Sequence, residues 1–90
     1  MDRAPITKPT LFVTVKTHED VLFEGEALSV TSRNDKGVFD VLPQHTNFIT
    51  LLSAQLTVRD SAGQSRDIPV SNGVMRVRGN RIEVYLGIKQ

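Results

Sequence analysis

Apolar and polar residues alternate with a period of two over most of this chain. Leu11, Val13 and Val15 interleave with Phe12, Thr14 and Lys16, and Val21, Phe23 and Gly25 with Leu22, Glu24 and Glu26. The pattern recurs with Leu28 and Val30, with Leu56 and Val58, and with Ile68 and Val70. Successive side chains of a strand point to opposite faces, so each run predicts a strand with one buried face. Turn-forming residues separate the runs at 34–37, 60–63, Asn72-Gly73 and Gly79-Asn80. Strands and turns at that spacing predict an all-β fold, a flattened sandwich or barrel of about nine to ten short, mostly antiparallel strands. Residues 46–54 carry Phe48, Ile49, Leu51 and Leu52, and their β-branched content predicts a buried strand rather than a helical turn.

The last third of the chain predicts its own register. A two-residue turn at Asn72-Gly73 sets Val70 opposite Met75 and Ile68 opposite Val77. A second at Gly79-Asn80 sets Arg78 opposite Arg81, Arg76 opposite Glu83, Val77 opposite Ile82 and Met75 opposite Val84. One inward set results, namely Ile68, Val70, Met75, Val77, Ile82 and Val84. A slip of one residue would turn a strand inside out. Keeping parity, a loop over 61–65 brings Leu56 and Val58 against Ile68 and Val70 and sets Arg59 opposite Asp67. Phe12, Leu22, Phe39, Val41 and Val74 then fall on outer positions, which implies two buried faces or a docking surface.

Ninety residues make one domain. Residues 1–10, with Pro5 and Pro9, read as a lead-in, and 11–90 as the domain. Eleven basic and ten acidic residues leave a net charge of +1. Nucleic-acid binding, which needs a basic excess, is therefore not expected. With no cysteine, disulfides and thiolate chemistry are excluded. No apolar run approaches the roughly 20 residues that span a bilayer, so direct membrane insertion is not expected.

No residue pattern announces catalysis. His18 and His45 are the only histidines, and their separation matches no metal-binding spacing. His18, beside Glu19 and Asp20, reads as part of a solvated turn. His45 follows Pro43 at a strand corner; a catalytic base there would need an aligned acid or nucleophile, and no spacing supplies one. It reads better as an exposed recognition residue, with a plain loop histidine close behind. Glu24 and Glu26 share a strand face without forming an acid–base pair. The 34–37 turn lacks the acidic ligands of a calcium loop, and no phosphate-binding glycine loop occurs. Arg78 and Arg81 stay uncompensated near a hairpin tip that could touch an acidic partner. No catalytic, metal or cofactor-binding residue is assigned.

Two segments carry more information in order. Val21-Leu22-Phe23-Glu24-Gly25-Glu26-Ala27-Leu28-Ser29-Val30 precedes Gly37-Val38-Phe39-Asp40-Val41-Leu42-Pro43-Gln44-His45, which runs on through Thr46, Asn47 and Phe48-Ile49-Thr50-Leu51-Leu52. Together with Ser71-Asn72-Gly73 and the closing stretch 77–84, they resemble the N-terminal β-sandwich domain of the epsilon subunit of rotary ATP synthases. The resemblance implies a non-catalytic part of the central stalk. It would link the gamma subunit to the c-ring and couple ion translocation to ATP synthesis, on the cytoplasmic side of an energy-transducing membrane. It implies no cofactor and no homo-oligomer. By position, the c-ring contacts would be Asn34, Asp35, Lys36, Gly37, Val38, Pro43, Gln44 and His45.

The sequence departs from the family in places. Gln44 stands where glycine is usual, which restricts positive backbone dihedrals at that corner. Thr46-Asn47 replaces Ala-Pro, Ala54-Gln55 stands for Pro-Gly, and Val38 or a neighbour replaces an acidic residue. Family members often continue into a helical hairpin that inhibits ATP hydrolysis. Were Gln90 the natural end, that control would be absent; a longer natural chain would restore it. The alternative reading is a free-standing β-sandwich module with another protein partner. An enzyme built around His45 is the remote third.

Overall fold

A computed structural model describes residues 10–43 and 47–87. Eight strands follow in order: β1 (Leu11–Lys16), β2 (Val21–Asn34), β3 (Gly37–Val41), β4 (Phe48–Leu52), β5 (Leu56–Asp60), β6 (Ser65–Ile68), β7 (Gly73–Arg78) and β8 (Arg81–Leu86). No helix occurs among the described residues. The strands run β4-β7-β8-β1-β2-β5-β6 across one sheet, with β3 also on β2. Every pairing is antiparallel except β1 with β8.

The long strand β2 makes a sandwich of that sheet. Its first half pairs with β1, and its second half with β3 on one edge and β5 on the other. Between the halves the register on β5 shifts around Leu28, so Ala27 and Val30 both point inward although three residues apart. An extra residue of this kind bends a strand and changes its parity. Strict alternation had grouped Leu28 with Val30; the bulge replaces it with Ala27. The bent strand belongs to both layers, and Leu11, Val13, Val15, Met75, Val77, Ile82 and Val84 of one face Val30, Val41, Leu56 and Val58 of the other.

The Gly79-Asn80 hairpin has the expected register, with Arg76 opposite Glu83, their side chains 3.9 Å apart. The Asn72-Gly73 hairpin does not form. β6 pairs only with β5 among the described strands, and β7 lies between β4 and β8, with Gly73 opposite both Leu52 and Leu86. Ile68 therefore does not face Val77, nor Val70 Met75. Pro69 is the physical reason: without an N–H it ends the ladder of β6. The chain then crosses to the other layer. Parity survives, because Ile68 and Val70 still pack against the core.

The β5–β6 pairing also keeps parity but sits two residues away from expectation. Leu56 faces Ile68, Thr57 faces Asp67 and Arg59 faces Ser65. Asp60 sets this turn, because its Oδ1 accepts from the amides of Ala62 and Gln64 at 3.0 and 2.9 Å. Val41 and Phe39, assigned to the outer face by alternation, instead turn inward on β3. Val41 is fully buried, and Phe39 meets Phe48 edge to face at 6.4 Å.

Candidate functional site

The predicted contact residues Asn34 to Val38 fall on one hairpin. Asn34 pairs with Gly37, leaving Asp35 and Lys36 as a two-residue exposed turn. Asn34 Oδ1 accepts from the Lys36 amide at 2.9 Å, the local bond that makes asparagine a turn residue. Gly37 sits at φ 119, in the region other residues avoid. Val38 stands outward on β3.

The hairpin and the Pro43 corner are not side by side. Val41, opposite Val30, closes the far end of β3, and Pro43 lies two residues beyond it. At about 3.3 Å per residue, the length of β3 puts roughly 13 Å between them. A partner touching both must lie along β3, whose outward residues are Val38 and Asp40, and past the exposed Leu42 that follows it. Asp40 also accepts from Thr31 Oγ1 at 2.6 Å. Gln44 and His45 lie outside the described residues.

A second surface was missed in the sequence. β4 is half buried rather than buried: Leu52 enters the core, whereas Ile49 and Leu51 are 68% and 70% exposed. Cross-strand pairing extends this patch. Leu51 faces Val74, Val74 faces Tyr85, and Tyr85 faces Lys16, one outward rank across β4, β7, β8 and β1. The ammonium of Lys16 lies 5.2 Å from the Tyr85 ring centroid, a cation–π distance. Apolar residues at both parities of β4 were the available signal.

A groove of about 750 Å³ runs along β4, between the Asn34–Lys36 turn and the segment Ser71, Asn72 and Gly73. On the same outer face Arg81 stacks on Phe12 at 5.3 Å, so the tip arginine that looked uncompensated has an aromatic partner. Among the described residues no three His, Cys, Asp or Glu side chains gather as a metal site. No helix there is long and apolar enough to cross a membrane.

A bent sheet around one core, with a polar hairpin at one end and an apolar rank on its outer face, defines a β-sandwich with contact surfaces. The chain belongs to the ATP synthase delta/epsilon chain family, whose β-sandwich domain matches residues 10–86. It is 33% identical over 69 residues to the ATP synthase epsilon chain of Clostridium perfringens, covering 76% of this chain and 52% of that one. It is 35% identical over 73 residues to the epsilon chain of Sulfurimonas denitrificans, covering 80% and 56%. The chain thus spans about half the length of these relatives.

Solved structures share the fold. In the mitochondrial ATP synthase of Euglena gracilis (OSCP, F1 and c-ring), a chain superposes with a TM-score of 0.80 at 17% identity, covering 94% of this chain and 54% of that one. In the central stalk and c-ring of the Tetrahymena thermophila enzyme the TM-score is 0.74 at 16% identity, covering 92% and 67%.

Proposed function

We propose that this chain is a non-catalytic rotor subunit of a rotary ATP synthase, linking the gamma subunit to the c-ring and coupling ion translocation to ATP synthesis. The observation that carries this reading is the family match over residues 10–86. The structures that share its fold include a central stalk with its c-ring, which agrees with the role. It works on the cytoplasmic side of an energy-transducing membrane and reaches that membrane through the complex.

The mechanics follow from the sheet. Torque transfer needs a body that does not shear, and here one hydrogen-bonded sheet wraps a close-packed core. The ring-facing surface is Asn34, Asp35, Lys36, Gly37, Val38, Pro43, Gln44 and His45, of which Gly37 and Val38 lie on β3. The apolar patch of Ile49 with the rank Leu51, Val74 and Tyr85 receives gamma, since burying it provides a water-excluded contact.

The test is a pull-down from native membranes with the full chain tagged at Met1. Gamma and the c-ring should be recovered at fixed stoichiometry. Recovery of folded chain alone, from membranes that hold assembled ATP synthase, would overturn the proposal.

A further inference from the structure

One side chain ties the turn of the hairpin proposed to meet the ring directly to the strand proposed to meet gamma. Asn34 Nδ2 donates to Thr50 Oγ1 at 3.0 Å, while Asn34 Oδ1 holds the Lys36 amide. Both halves of the amide are thus used, one inside the turn and one across to β4. Thr50 stands between Ile49 and Leu51, and its hydroxyl passes the chain on to the Leu51 carbonyl at 3.3 Å. Nearby, the Ser53 amide donates to the Arg33 carbonyl at 3.0 Å, which ties the same two strands but does not reach the turn.

We propose that Asn34 is a positioning residue, a clasp that fixes the β2–β3 turn to β4 so that the turn and the apolar face move as one body. This rests on the rotor reading above and gives Asn34 a different part in it. Both ends of its amide bond within the protein, so beyond any contact of its own with the ring it stiffens the turn that makes that contact. A two-residue turn held only at its base would bend before it transmitted force. The Asn34–Thr50 bond removes that freedom.

Two substitutions test the bond. Asn34→Ala removes the donor to Thr50 together with the acceptor for the Lys36 amide. Thr50→Val keeps shape and strand preference and loses the acceptor. In the full chain, Thr50→Val should speed hydrogen exchange of the Gly37 to Phe39 amides about fivefold, the scale of one net hydrogen bond, and Asn34→Ala at least as much. The double variant should exchange no faster than Asn34→Ala, because the bond that Thr50→Val removes is then already gone. In membrane vesicles carrying each variant at wild-type occupancy, the ion gradient built per ATP hydrolysed should fall. A merely structural role would lower occupancy and leave that ratio unchanged.

Unchanged exchange in Thr50→Val, additive single effects, or an unchanged ratio would each overturn the clasp. If wild-type chain enters no ATP synthase, the rotor reading itself fails and the clasp's role with it. Wild-type entry with variants indistinguishable from it refutes the clasp alone.

Discussion

Leu51 and Leu56 have opposite surroundings, the first 70% exposed and the second 0%. Truncating Leu56 leaves a cavity between the layers, so Leu56→Ala should cost about 2–5 kcal/mol. Leu51→Ala removes atoms that already face water and should stay within about 0.5 kcal/mol. Urea unfolding of both variants checks the pair; similar midpoints would contradict the burial. Gly79 offers a backbone test, since it sits at φ 60 at the head of the β7–β8 turn. Gly79→Ala should cost about 1 kcal/mol, the scale of a left-handed penalty. Asparagine tolerates that region, so Gly79→Asn should cost clearly less. In a domain of this size 1 kcal/mol moves Tm by about 4–8 °C, which thermal unfolding resolves.

Among the elements, β4 departs furthest from what the pattern suggested. Ile49→Ser with Leu51→Ser should leave Tm within a few degrees, because both side chains are already solvated in the free chain. Binding to gamma should weaken about 30- to 150-fold, given roughly 1–1.5 kcal/mol for each of the two apolar side chains that docking would bury. Titration against purified gamma decides it, and unchanged affinity would remove this face from the interface. The turn over 34–37, and the Gly79-Asn80 hairpin with its register, could be read from sequence because such features are set by adjacent residues. The placement of β7 beside β4, and the parallel β1–β8 pair, could not: those contacts join distant residues, and period two carries parity but no partner. The Asn72-Gly73 signal misled for a local reason, since Pro69 had already ended the strand such a hairpin needs. At the site, the turn at Asn34 was legible, whereas its bond to Thr50 and the exposure of Ile49 and Leu51 depend on tertiary placement.

For the whole molecule, coupling and stability separate under changes of charge. Lys36 is exposed at the turn, and its backbone bond to Asn34 does not depend on its ammonium. Lys36→Glu combined with His45→Glu takes the net charge from +1 to −2, two units from the lysine and one from the neutral histidine. With Lys36 exposed, and with His45 read from the sequence as a recognition residue outside the core, each substitution should shift stability by less than about 0.5 kcal/mol, so Tm should barely move. If both residues meet the ring, the same change acts at the contact that carries torque, and ion-driven ATP synthesis should fall far more than Tm. The defect should also deepen as salt is lowered, because the screening length grows from about 8 Å at physiological ionic strength to about 30 Å at 0.01 M. ATP synthesis in vesicles at two salt concentrations, beside thermal unfolding of the same variant, provides the comparison. Parallel loss of synthesis and Tm would mean that these residues support the fold, and the ring would then have to be met by another surface.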